Sequence, residues 1–371
     1  MRARGAVLTG GAPSPDNHQM TADPVPPAPA RRQRPANVMD VARAAGVSHQ
    51  TVSRVLNDHP SLRPGTRQRV LDAMAELDYR PNAAARALSS NRSRMIGILS
   101  TAAGEYGPAS SVAAVESAAR ARGYSVTIAN ADGLSRASID EAVDHLAALS
   151  AEGLVVVAPQ TRVLETLSKR SFGIPWVTLQ AVADPDSPHE GGVGSVAPVG
   201  HGRPLDQVIG ARLATAHLAE AGHRRIGHIT GPADWIDAAQ RVRGFREELA
   251  SRGLDDDLLA TGDWSAASGH RAGRELIERG ATAIFAGNDQ MALGALAAAA
   301  EAGLEPPAEL SIVGFDDVPE AAFYRPALTT VRQDFSEAGR RAVALLLGES
   351  EVAPSVEPVL IVRGSTAPPA P

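Results

Sequence analysis

The chain has no cysteine, a single lysine (Lys169), few aromatic residues and no long apolar run, and each shortage excludes something. Without cysteine there is no disulfide, no thiolate metal site and no cysteine nucleophile. The motifs GxSxG, HExxH and GxxxxGK[ST] are also missing, so no catalytic set is found and the chain reads as a non-enzyme. No apolar stretch approaches the roughly 18 residues of a membrane span. The N-terminus has only a short apolar run, too short for the core of a secretory signal, so a cytoplasmic protein without membrane contact is expected. With aromatics at 4%, nearly all positive charge is carried by arginine.

What is present is unevenly spread. The 371 residues allow two or three domains. The formal charge is −6, yet residues 31–95 sum to +7 and the rest to −13, so a basic module is attached to an acidic body. Residues 1–35 are rich in Pro, Ala and Gly without apolar periodicity and are expected to be a disordered arm in which Met20 is an alternative start. Arg31, Arg32 and Arg34 end it, within reach of phosphates if the next segment sits on a duplex.

That segment, Val38 to Leu56, organises the sequence. Val41, Ala42 and Ala45 form an apolar stripe at helical spacing, and Gly46 supplies the positive φ of a sharp turn. Ser48 suits the N-cap of a second helix whose inner face is Val52, Val55 and Leu56. Its outer face, His49, Gln50, Ser53, Arg54 and Asn57, carries groups able to read base edges in a major groove. The same spacing suits any small helical hairpin with a solvated polar face. Pro64 opens a third helix running to about Leu77, completing a headpiece over residues 36–80. Pro81 and Asn82 then introduce a short helix to Leu88 and a polar linker, giving a hinge over 81–93.

From residue 94 to 371 the texture alternates between apolar strands and helices. Strands are expected at 95–99, 125–129, 154–158 and 176–179, with helices at 111–122 and 138–149. The pattern restarts near Leu205: helices at 205–221, 239–251, 266–279, 290–302 and 336–347, strands at 226–230, 283–286, 311–315 and 358–362. Two runs of this kind predict two Rossmann-like α/β lobes with a cleft between them, where strand C-termini gather ligand groups. Residues 184–204, rich in Gly, Pro and His, read as a surface loop; His189 and His201 there are too far apart to frame a metal site.

The stretches DVARAAGVSHQTVSRVLN, AMAELDYRPNAAARAL, HLAEAGHRRIGHITGP, FAGNDQMALGAL, ELSIVGFDD, PALTTVRQDF and VRGSTAPP stand in the order found in the lactose-repressor (LacI) family of bacterial transcription factors, which the chain resembles from about Ala36 to Pro369. The resemblance implies a helix-turn-helix headpiece on a periplasmic-binding-protein-like core, and a homodimer reading a pseudo-palindromic operator in double-stranded DNA. It makes His49, Gln50 and Arg54 the base readers and Ser53, Asn57 and Thr66 backbone contacts, with Thr51 and Asn82 completing the set. His49 departs from the family pattern, whereas Gln50 and Arg54 keep it. Residues 82–88 resemble the family's hinge helix, too short to fold alone, with Leu88 as a wedge into a minor-groove step.

By the same resemblance the effector contacts are Arg241, Trp264, Asn288 and Asp316, with Gln333 and Phe335 lining the cleft and Thr101 and Pro108 contributing from the first lobe. A sugar needs carboxylate and amide partners for its hydroxyls and a flat aromatic face, which this set supplies. Asp317 and Asp334 read as structural, and Asp206 as either a family acid or a helix cap. No cofactor is expected beyond a small effector, a sugar with a galactoside as one candidate, whose entry would shift the lobes, part the hinges and release the operator. The alternative is a purine-type co-repressor that promotes DNA binding. The chain shows no heptad tail after Val362, which argues for a dimer.

Overall fold

The computed structural model describes residues 34, 36–56, 62–79, 92–169, 173–179, 205–349 and 357–370. They belong to two compact units, Met1–Asn82 and Ala83–Pro371.

The first unit is helical: α1 (Val38–Ala45), α2 (His49–Leu56) and α3 (Pro64–Glu76). Asn37 caps α1 by accepting from Met39 N (2.9 Å) and Asp40 N (3.0 Å), while the Asp40 carboxylate accepts from Asn37 N at 3.0 Å. This reciprocal box satisfies donors the first turn would leave unpaired. Gly46 ends α1 at φ 61°, where a Cβ would be strained. Ser48 Oγ accepts from Thr51 N at 3.2 Å to start α2. Arg63 precedes α3 without a side-chain cap, and Pro64 takes the first helical position, where a missing N–H is harmless. Val41, Val52 and Val70, fully buried, join Ala42, Ala45, Val55 and Ala73 in one small core.

The second unit has two lobes. In the first, β1 (Met95–Ser100), β2 (Ser125–Asn130), β3 (Gly153–Val157) and β4 (Trp176–Thr178) form a parallel sheet ordered β2-β1-β3-β4. One face packs against α4 (Tyr106–Ala121), the other against α5 (Arg136–Ala148) and α6 (Thr161–Ser168). The second lobe contains α7 (Gln207–Glu220), β5 (Ile226–Thr230), α8 (Ile236–Ser251), β6 (Leu259–Thr261), α9 (Ala266–Glu278), β7 (Ala283–Ala286), α10 (Asp289–Glu301), β8 (Ser311–Asp316), β9 (Thr329–Arg332) and β10 (Val359–Ile361). Its six strands run β10-β9-β8-β7-β5-β6, parallel except for β10 against β9. Apolar clusters cover both faces of this sheet, as continuous apolar parallel strands require.

The last helix, α11 (Phe335–Leu346), corrects the expectation that it belongs to the second lobe. Ala338, Ala342, Val343 and Leu346 bury themselves with Val115, Ala118 and Ala119 of α4, so the chain crosses back to the first lobe and returns for β10. The lobes also meet at a strap: Gln160 bridges Trp235 in antiparallel fashion, Thr161 N donates to Asp234 O (3.0 Å), and Ile236 N donates to Pro159 O (2.8 Å). His223 holds the C-terminal segment through Nε2 to Ala367 O at 2.9 Å. None of the described helices is long and apolar enough to cross a membrane.

Candidate functional site

In the helical unit, α2 turns Val52 and Val55 inward, which leaves His49, Gln50 and Arg54 exposed on the outer face, with Thr51 and Ser53 half-buried beside them. Imidazole, amide and guanidinium groups within two turns of one helix match the donor and acceptor pattern of base edges. Thr66 is half-buried in the first turn of α3. Arg34 meets Asp40 at 3.0 Å with a side chain 72% exposed, an ion pair of little strength. Asn57, Asn82 and Leu88, and with them most of the hinge, lie outside the described residues.

The cleft of the second unit is built around a buried guanidinium. Arg241, on α8, donates from Nε to Gln207 Oε1 (2.9 Å) and from Nη1 to the Gly287 carbonyl, while its Nη2 lies 3.6 Å from Asp316 Oδ1. Gln207 Nε2 donates to Gln333 Oε1 (2.8 Å), and Gln333 Nε2 donates to Asp316 Oδ1 (2.7 Å). Four side chains from α7, α8, the end of β8 and the residue after β9 thus close a ring of polar contacts. Arg241 also lies with Cζ 4.0 Å from the Phe315 ring centroid, a cation–π contact in a dry setting. Burial pushes the Asp316 carboxyl up while Arg241 and Gln333 oppose the rise.

Aromatic walls flank this ring. Trp264 and Trp235 lie 5.0 Å apart between centroids at 54°, and Tyr106 meets Phe335 edge-on at 6.0 Å. Trp264 adopts φ 74° and Asp316 φ 102°, conformations unfavourable for residues with a Cβ, each costing on the order of 1–3 kcal/mol that the surrounding contacts must hold. Gly231 passes so close to the Trp264 ring that a Cβ there would overlap it. Trp264 Nε1–H is buried without a partner among the described residues, a donor a ligand oxygen would satisfy. The space between these walls, open solvent at the mouth included, is about 530 Å³.

Of the residues expected in the cleft, Pro108, Arg241, Trp264, Asn288, Asp316, Gln333 and Phe335 line it together. Asn288 does so with its amide already used: Oδ1 accepts from Met291 N (2.8 Å) as the cap of α10, and Nδ2 donates to Trp264 O (3.0 Å). Thr101 is not among the residues that line this cleft. Its hydroxyl donates to Gln160 Oε1 at 2.5 Å beside the strap, and the first turn of α4, beginning at Tyr106 instead of Ser111, forms the wall in its place. Asp317 is structural, paired with Arg332 and Arg363, each at 2.6 Å, and Asp334 caps α11. Asp206 caps α7, accepting from Ile209 N at 3.0 Å.

Sequence reasoning missed Glu105, Tyr106, Gln207, Trp235 and Asp237, all of which line the cleft. Asp237 carried a usable signal: four residues before Arg241, it shares that residue's helix face. Burial pushes its carboxyl up to about 6.

Residues 37–82 match the bacterial regulatory proteins of the lacI family, and residues 215–366 match the periplasmic binding protein-like domain. The lactose operon repressor of Escherichia coli (strain K12) is 32% identical over 345 residues, 90% of this chain and 91% of the relative. The HTH-type transcriptional repressor PurR of Proteus mirabilis (strain HI4320) is 33% identical over 351 residues, covering 90% and 97%. The crystal structure of the lac repressor dimer bound to operator and the anti-inducer ONPF matches with a TM-score of 0.76 at 31% identity, over 90% of this chain and all of that one. With both family signatures in chain order and relatives above 30% identity along most of its length, the chain belongs to the lacI family of bacterial regulatory proteins, as a ligand-responsive, DNA-binding transcriptional repressor.

Proposed function

We propose that this repressor controls sugar-utilisation genes in the cytoplasm, as a homodimer that leaves its operator when a small sugar enters the interlobe cleft. In this reading a headpiece over 36–80 and a hinge over 81–93 serve a core over 94–371. His49, Gln50 and Arg54 read base edges, Ser53, Asn57 and Thr66 hold the backbone, Thr51 and Asn82 complete the DNA-binding set, and Leu88 wedges the minor groove.

The observation that carries the ligand side is the polar ring of Arg241, Gln207, Gln333 and Asp316 set against Trp264. A sugar presents hydroxyls that both donate and accept around its edge and C–H surface on its faces, so it suits carboxylate, amide and indole partners at once. The cleft is lined from both lobes, so a ligand there bridges them and favours one lobe arrangement over another. Only a ligand with unequal affinity for the two arrangements shifts DNA binding.

The test is operator selection from an inverted-repeat library by the full chain, followed by fluorescence anisotropy with and without a panel of sugars. Release by a sugar supports the reading. No preference for inverted repeats over random duplex overturns it, as does a preference that survives removal of the first ninety residues. Tighter binding with a purine base, and no effect of sugars, establishes the co-repressor alternative.

A further inference from the structure

Among the described residues lining the cleft, the acids are Glu105, Asp237 and Asp316, and Arg241 is the one Arg or Lys. Arg241 is already engaged by Gln207, the Gly287 carbonyl and Asp316. Glu105 sits half-buried at the N-cap position of α4 and makes no capping bond with its side chain. Asp237, half-buried on α8, faces Arg241 and Asp316. Asp263 and Asp316 bring further negative charge to bear on Glu105. The acids form no metal-holding cluster among the described residues.

We infer that the cleft takes an uncharged or amine-bearing ligand and rejects anionic ones, so that the effector is a free or amino sugar and not a sugar phosphate or sugar acid. The inference rests on the sugar reading above and narrows it. An ionised carboxylate only accepts hydrogen bonds, so it pairs with a hydroxyl or ammonium donor. A phosphate dianion offers no donor, and would meet two carboxylates of like charge with the cleft's arginine already committed. Exclusion by unpaired like charges is an efficient source of selectivity between ligands of similar shape.

The experiment is thermal shift followed by isothermal titration on the full chain at pH 7.5 and fixed ionic strength. The probes are galactose, glucose and ribose, galactosamine and glucosamine, galactose 6-phosphate, glucose 6-phosphate and ribose 5-phosphate, and galacturonate, with hypoxanthine beside inosine 5′-monophosphate. The expected result is a phosphate ester at least about 100-fold weaker than its neutral parent. That gap should shrink to about tenfold or less in Glu105→Gln with Asp237→Asn. A phosphate ester or galacturonate binding as tightly as the parent sugar overturns the inference, as does an unchanged gap in the folded double variant. Should the double variant misfold, the ratio in the parent protein alone decides. Should sugars fail and hypoxanthine bind, the sugar reading falls and the charge rule is judged on hypoxanthine against its nucleotide. Should no probe bind, both fall.

Discussion

The outer face of α2 and the interlobe cleft are built in opposite ways. On α2 the outward side chains lie within one eight-residue helix, and His49, Gln50 and Arg54 are exposed. In the cleft Arg241, Asn288, Asp316 and Gln333 are 5–8% exposed, come from separate segments and are bonded to one another or to backbone. Groups of the first kind bear little of the fold's stability, whereas groups of the second kind hold the walls that present them. Substitution should therefore separate function from stability in the headpiece and couple them in the cleft.

The largest effect is expected at Arg241. Arg241→Ala leaves Asp316 buried without its cation and Gln207 and the Gly287 carbonyl without a donor. Breaking a buried pair by removing one partner costs about 3–5 kcal/mol. Denaturant unfolding should show a loss of that order, with ligand response abolished. A loss below about 1 kcal/mol would mean the ring bears little of the fold's stability, and the contrast drawn above would fail.

Next comes Asp237, where stability follows pH. Its carboxyl is pushed from 3.8 up to about 6 by burial, so the unfolded chain releases the proton at lower pH than the folded one. The folded state then binds more protons between these values, and stability falls as pH rises from about 4 to 6, by up to about 3 kcal/mol. Below this window the group contributes nothing; above it the penalty is constant. Asp237→Asn should flatten this part of the profile and be the more stable protein at pH 7, measured as Tm against pH.

Legibility in the sequence followed the same division. Gly46, Ser48 and Pro64 announce turns and helix starts by local backbone chemistry alone, and the structure has all three in those roles. β6 and β9 went unread because three or four residues carry no usable period, and α6 because its eight residues make only two turns. The start of α4 hid behind Gly104, Gly107 and Pro108, residues that suggest a loop; Pro108 lies in the first turn, where its missing N–H breaks no helical bond. Arg241, Asp316 and Gln333 were found through the family resemblance and their place near strand ends. Gln207 and Trp235 become cleft residues only through contacts with distant segments, the first with Arg241 and Gln333, the second through the strap at Gln160. The lobe chosen by α11 was hidden for the same reason: an apolar stripe shows that a helix packs, not upon which sheet.

Gly231 sharpens the contrast at intermediate cost. Gly231→Ala adds one methyl against the Trp264 ring, and overpacking of this kind costs about 1–3 kcal/mol. Because Trp264 also packs on Trp235, its displacement should weaken ligand affinity more than stability. Intrinsic tryptophan fluorescence of the cleft should shift, and operator affinity without ligand should stay within about twofold of the parent protein.

The smallest stability effect is expected on α2, and it is the most informative. Gln50 is exposed, so truncating it to alanine removes no core contact; alanine is also at least as good a helix former. Gln50→Ala should leave denaturant stability within about 0.5 kcal/mol. A side chain that reads a base edge contributes about 1–3 kcal/mol of discrimination, so the same variant should lose roughly 5- to 150-fold in preference for the selected operator. Its affinity for random duplex, dominated by phosphate contacts, should hardly change. If specific and random affinity fell together, Gln50 would be a backbone contact; if stability fell by more than about 1 kcal/mol, the outer face of α2 would share in holding the headpiece together and would no longer differ in kind from the cleft.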